Sequence, residues 1–200
     1  MQEQNYKIKG YDVVPMYTRR GDKGETDTAY GERIRKDSQL IEWEGTLDEL
    51  ISSIGFSKSL QSYDDIVSDL TTVQQDLFHL GEEIITQGQG RKLRDDGVKW
   101  MEGRISSYLK EIGQIKLFVV PGGSISASSL QLSRAIARRA ERRLVELAQR
   151  QQINPNLLQY INRLSSFLFM IAVANNKRAG IEEILYPWPN PRKNEGRIEI

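Results

Sequence analysis

The 200 residues carry 28 Lys and Arg against 27 Asp and Glu, with 38% hydrophobic and 28% charged residues. That balance suits one globular domain and leaves no bulk field to hold the chain on nucleic acid or a membrane, so any anion site has to be built locally. The absence of cysteine and a single histidine, His79, argue against a disulfide framework, a thiolate metal site or a His-based triad, and without an evident signal or membrane-spanning run the chain reads as cytoplasmic.

Residues 1 to 45, punctuated by Gly10, Pro15, Gly21, Gly24, Gly31 and Gly45, read as an irregular N-terminal arm. Inside it, TRRGDKGETDTAYG (18 to 31) groups glycines with threonines and charges. Glycine permits positive φ and brings backbone N–H groups close to an anion. Arg19, Arg20, Lys23 and Lys36 add positive charge. The same residues also make an ordinary surface turn, and the P-loop spacing GxxxxGK[ST] is absent.

TLDE at 46 to 49 matches a capping box and predicts a helix start at Thr46, followed by Leu47, Leu50, Ile51 and Ile54. Ile66, Leu70, Val73, Leu77, Leu80 and Ile84 then mark one stripe of a long second helix. His79 falls within it and reads as structural. After a polar loop at 88 to 97, a third helix carries Trp100, Met101, Ile105, Tyr108, Leu109 and Ile112. IKLFVVPGG (115 to 123) is a short apolar break. A fourth helix is predicted over 124 to 151, with Leu132, Ile136, Ala140, Leu144 and Leu147 as its core stripe.

Asn154 with Pro155 is an N-cap and first-turn proline. They open a fifth helix striped by Leu157, Ile161, Leu164, Leu168 and Ile171. The near-continuous apolar run over 164 to 174 predicts that this helix is central. The tail is too proline-rich to extend it. Five helices with little strand signal predict an all-α five-helix bundle as a single domain over 1 to 180, with a tail over 181 to 200.

The fourth helix carries the sharpest charge pattern. Arg134, Arg138 and Glu141 lie at i, i+4 and i+7, facing away from that stripe, with Arg139, Arg142 and Arg143 nearby. Glu146 is within reach of Arg142, Arg143 and Arg150, whereas Arg134 and Arg138 have only Glu141 between them. A like-charged i, i+4 pair costs about 0.2–0.5 kcal/mol. A solvated face tolerates that cost, and two guanidinium groups awaiting a phosphate would also show it.

Four segments in order carry a family resemblance: YTRRGDKGETDTAYGERIRKDS, EGTLDELISSIGF, FVVPGGSISASSLQLSRAIARRAERRLVEL and INRLSSFLF. They resemble the motifs of the PduO-type cobalamin adenosyltransferases over residues 17 to 170. The resemblance implies a ferritin-like five-helix fold, a homotrimer, and transfer of the 5′-deoxyadenosyl group of ATP to cobalt of reduced cobalamin with release of triphosphate. By matching positions, it implies ATP contacts from Thr18, Arg19, Arg20, Gly21, Thr26, Asp27 and Lys36 in the arm, here bounded at 16 to 45. Arg138, Arg139, Glu141 and Arg142 of the fourth helix and Asn162 of the fifth complete them. Mg²⁺ would accompany the triphosphate without direct side-chain ligands.

Arg134 matches an arginine that pairs with an aspartate, here Asp48, across the subunit interface. Phe118 matches the aromatic at cobalt's lower face and corrinoid site. A reductase and an adenosylcobalamin-dependent acceptor enzyme are implied partners, with no nucleic acid or membrane. Arg19 stands where the family most commonly has lysine and Arg20 where it has a small or polar residue, so the first keeps positive charge and the second adds it. Gln131, Ser166 and Val173 stand where the family has histidine, aspartate and arginine. Those three leave open a non-catalytic ATP or corrinoid binder of the same fold. An Arg-rich nucleic-acid module is the second rival, against which the near-zero net charge counts.

Overall fold

In a computed structural model, the backbone is described for residues 6–8, 11–13, 17, 19–28, 31–113 and 118–187. Two small antiparallel hairpins precede the helices: β1 (Tyr6–Ile8) with β2 (Tyr11–Val13), and β3 (Glu25–Asp27) with β4 (Arg33–Arg35). Five helices follow: α1 (Gln39–Ser59), α2 (Asp64–Ile85), α3 (Gly97–Ile112), α4 (Ile125–Ala148) and α5 (Pro155–Arg178). α4 packs between α1 and α5, while α2 lies against α1 and α3 against α5. The all-α bundle expected from periodicity is the fold observed.

The first helix begins earlier than the capping box suggested. Ser38, in extended backbone, stands at the N-cap, and its carbonyl accepts from Glu42 N at 2.9 Å. Leu40, Trp43, Leu47, Leu50 and Ile54 supply a 3–4–3–4 apolar spacing that starts before Thr46. Thr46 is therefore inside the helix, its hydroxyl donating to Glu42 O at 2.7 Å. That hydroxyl is spent on the preceding turn and caps nothing. The arm is correspondingly less irregular than expected, since it holds the hairpins and the first two turns of α1.

The predicted stripe of α2 is buried at every position, and so is that of α5. Asn154 caps α5 as expected, its Oδ1 accepting from Asn156 N at 3.0 Å. α5 is also long and apolar enough to cross a membrane, with a mean hydropathy of 1.4 over its best window, which corrects the expectation that no run reaches that length. Here it lies between α3 and α4 with its apolar length in the core. In α4 the inward face is Ala127, Leu130, Ala137, Ala140, Leu144 and Leu147. Leu132 points outward and is 57% exposed, so it does not belong to the core stripe.

Two buried carboxylates, seven residues apart on α2, hold the bundle closed. Asp69 accepts from Tyr108 Oη and Arg104 Nε, each at 2.8 Å. Asp76 accepts from Tyr160 Oη at 2.8 Å and Arg94 Nε at 3.0 Å. Burial, with the neighbouring carboxylate, pushes both phenols above their ordinary pKa, so each remains a donor.

Candidate functional site

The glycine-rich segment folds into a turn closed by the β3–β4 hairpin, where Asp27 faces Arg33. Asp27 Oδ1 accepts from Arg20 Nη2 and from Arg33 Nη1, each at 3.2 Å. Arg33 also reaches Glu25 at 3.1 Å and the Arg20 carbonyl. The arginine that organises this loop is therefore Arg33, which sequence reasoning missed. Its signal is the hairpin register itself. Arg19 and Gly24 both adopt positive φ, and a Cβ on Gly21 would lie 2.8 Å from Lys36 Nζ. The Lys36 ammonium thus rests directly over the backbone of the turn.

Beneath the hairpin a cavity of about 1160 Å³ opens between α1 and α2. Thr26, Lys36 and Asp48 line it, together with Phe78, His79 and Arg91. Phe78 is 64% exposed there, an apolar wall that the helix stripe did not single out. No cluster of three His, Cys, Asp or Glu side chains able to hold a metal occurs among the described residues.

The arginine face of α4 lies elsewhere. Arg139 pairs with Glu49 of α1. Arg143 bridges Glu42 at 3.1 Å and Glu146 at 3.2 Å, the local partner its spacing predicted. Arg142 donates to the Arg138 carbonyl at 3.0 Å rather than to Glu146. Glu141 accepts from Asn162 Nδ2 at 2.6 Å, which joins α4 to α5. Among the described residues no carboxylate lies within ion-pair distance of Arg134 or Arg138. Arg134 donates to the buried Gln131 Oε1 at 2.6 Å, so the glutamine at this position still orients it. Burial, and then the Arg138 charge, hold the Arg134 guanidinium below its ordinary pKa. Of the other two departures, Ser166 is exposed and Val173 is buried in the core.

Phe118 stands at the entrance to α4 with φ +60 and 52% of its surface exposed. An apolar residue in an apolar run is ordinarily core, and this one is not.

The candidate residues thus form two groups on one chain. Arg19, Arg20, Gly21, Thr26, Asp27 and Lys36 gather at the hairpin, with Asp48 below them in the cavity. Arg134, Arg138, Arg139, Glu141, Arg142 and Asn162 share the outer surface of α4 and α5, and none of them lines that cavity. Thr18 lies outside the described residues, as does Trp188 of the tail.

Comparison with known proteins bears on this arrangement. A family described as cobalamin adenosyltransferase matches residues 16–175. The chain is 41% identical over 179 residues to a corrinoid adenosyltransferase of Bacillus subtilis, covering 86% of this chain and 92% of that one. It is 35% identical over 186 residues to a cobalamin adenosyltransferase of Cupriavidus metallidurans, covering 92% and 100%. A solved variant of the PduO-type ATP:corrinoid adenosyltransferase of Lactobacillus reuteri, complexed with cobalamin and ATP, superposes with a TM-score of 0.81 at 33% identity, covering 86% of this chain and 97% of that one.

Proposed function

The chain belongs to the cobalamin adenosyltransferase family, and from that membership we propose how its two groups of residues divide the reaction. It is a corrinoid adenosyltransferase that moves the 5′-deoxyadenosyl group of ATP to the cobalt of cob(I)alamin, and triphosphate is released. The catalytic reading stands over that of a non-catalytic binder of the same fold.

Cobalt(I) supplies the electron pair that forms the Co–C5′ bond. The C5′–O bond breaks and its electrons leave with the triphosphate. No proton has to be removed, so a chain with one histidine and no cysteine lacks nothing the step requires. The protein's contribution is to hold the two substrates in line and to stabilise charge on the leaving group. Arg19, Arg20, Gly21, Thr26, Asp27 and Lys36 serve the phosphates from one protomer, and the family match adds Thr18 to that set. Arg138, Arg139, Glu141, Arg142 and Asn162 come from a neighbouring protomer. Asp48 of one copy and Arg134 of the next pair across the interface, and the assembly is a homotrimer.

The observation that carries this reading is that the α4 and α5 candidates do not line the cavity beneath the hairpin, with no carboxylate among the described residues paired to Arg134 or Arg138. A second copy completes both the site and the ion pairing.

Phe118 presents its exposed ring to the lower face of the corrin and helps displace cobalt's axial ligand, which eases reduction of cobalt(II). Mg²⁺ fits as an ion carried by ATP: the described residues offer no carboxylate cluster, and Mg²⁺ takes most of its ligands from phosphate and water. When bound it would neutralise part of the triphosphate charge. The reaction's chemistry calls for a reductase to supply cobalt(I) and for an acceptor enzyme that uses adenosylcobalamin. We place the chain in the cytoplasm.

The test has two arms. The wild-type protein should form adenosylcobalamin from ATP and chemically reduced cobalamin. Lys36→Ala and Arg138→Ala chains, each impaired alone at sub-saturating ATP, should regain activity when co-expressed, because a mixed trimer has interfaces with both groups intact. Mixed assemblies no more active than either parent would refute the shared site.

A further inference from the structure

The turn that joins Phe118 to α4 is held by a side chain to which the mechanism above assigns nothing. Asn176, 2% exposed, sits near the end of α5. Its Oδ1 accepts from Ser124 N at 2.9 Å, and its Nδ2 donates to Gly122 O and to Glu183 Oε1, each at 3.0 Å. The reversed amide would set hydrogens against the Ser124 N–H and an oxygen against two oxygens, so this orientation is the one the chemistry permits. Gly123 has φ +100, and a Cβ there would fall 2.2 Å from Asn176 Oδ1. The backbone of the Pro-Gly-Gly turn therefore rides directly on this amide.

Beyond Glu183 the chain returns alongside the Phe118 segment. Val120 N donates to Ile184 O at 2.7 Å, Tyr186 N donates to Phe118 O at 2.8 Å, and Val119 faces Leu185 in an antiparallel bridge. Phe118 is thus anchored on one side by the turn and along its backbone by residues 184 to 186. Both anchors lead to the same asparagine, one through Gly122 and Ser124 and the other through Glu183. The adjacent Asn175 does different work, since it takes Ser126 Oγ at 2.7 Å and reaches Gln61 of the α1–α2 connection.

We propose that Asn176 is the positioning residue for Phe118, its amide setting where the ring projects and Glu183 linking it to the returning segment. The inference rests on the reading of Phe118 given above. A buried asparagine that merely stabilised the bundle would lower stability and activity together. A positioning residue alters what the ring does in a protein that stays folded and binds ATP.

Asn176→Asp keeps the volume and the acceptor for Ser124 N, removes the amide donor, and sets a carboxylate against Glu183. Glu183→Ala severs only the link to the returning segment. Both variants are compared with wild type and Phe118→Ala for ATP affinity by calorimetry, and for the ligand-displaced cobalt(II) species by electron paramagnetic resonance in the presence of ATP. A misplacement of about 1 Å costs on the order of 10²-fold in a reaction that depends on alignment. Asn176→Asp should bind ATP as wild type does yet yield at least tenfold less displaced cobalt(II), on that scale about half the logarithmic loss. Glu183→Ala should show a smaller loss of the same species. In both, turnover should fall more when cobalt(II) must be reduced on the enzyme than when cobalt(I) is supplied.

If Phe118→Ala abolishes the species and a folded Asn176→Asp forms it normally, the positioning role is overturned and Phe118 keeps its own. If Phe118→Ala itself forms it normally, the reading of Phe118 fails and the inference with it. Should Asn176→Asp not fold, Glu183→Ala decides by the same signal: a normal yield overturns the proposal.

Discussion

Replacing Arg138 with alanine should weaken ATP binding without weakening the fold, and the structure gives the sign of both effects. Among the described residues Arg138 has no ion-pair partner, and its charge helps hold Arg134 below its ordinary pKa, behind burial as the larger cause. Removing a like charge four residues away relieves about 0.2–0.5 kcal/mol. The protomer should therefore unfold at unchanged or slightly higher denaturant. Arg143→Ala is the control, since Arg143 is half-exposed and tied to Glu42 and Glu146 at 3.1 and 3.2 Å. Losing such surface pairs costs about 0–1 kcal/mol of stability. For ATP the order reverses. A lost charge-assisted hydrogen bond to phosphate is worth about 1.5–3 kcal/mol, roughly a 10- to 150-fold rise in Kd, whereas Arg143 is already neutralised locally. Calorimetric titration and chemical denaturation on both variants measure the four quantities. Equal ATP affinities, or a loss of stability in Arg138→Ala above that of Arg143→Ala, would refute the reasoning.

With its side chain 52% exposed, Phe118→Ala should forfeit only about half of a phenylalanine's transfer free energy, on the order of 1 kcal/mol; thermal unfolding showing a loss of about 3–5 kcal/mol would return the residue to the core. Asp76→Ala strands the Tyr160 hydroxyl and leaves Arg94 only the exposed Asp96, at 3.3 Å, and should cost about 3–5 kcal/mol in denaturant unfolding. Tyr160→Phe, which removes a donor while the carboxylate keeps Arg94, should cost about 1–2 kcal/mol. Asp65 and Glu111 share Arg178 through contacts of 2.7–2.8 Å, and hydrogen bonding to it holds both carboxyls below their ordinary pKa. Because the folded pKa values are depressed, their stabilisation is complete above the unfolded values of about 4 and is lost as pH falls through the folded ones. The stability gap between wild type and Arg178→Ala should thus shrink on acidification below about pH 4, starting from about 1 kcal/mol after solvent screening. A gap independent of pH would break that linkage.

The sequence alone determined the five helices, because each rests on neighbours three or four residues apart. The α2 stripe, the Asn154 cap and the partnership of Arg143 with Glu146 all lie within that reach. It also determined the family through four ordered motifs. The start of α1 is not legible in TLDE, because a capping box and an interior threonine are the same four letters. Only packing distinguishes them, and here Trp43 is buried one turn before Thr46. Periodicity alone cannot separate Leu132 from the core, because residues of either flank of an amphipathic helix share it; docking of α4 against both α1 and α5 decides which flank faces inward. Tertiary structure also paired Arg139 with Glu49 of α1 and brought Asn176 beneath a turn 52 residues earlier in the chain. Contacts at that separation carry no local signature, since they exist only once the helices have chosen their faces.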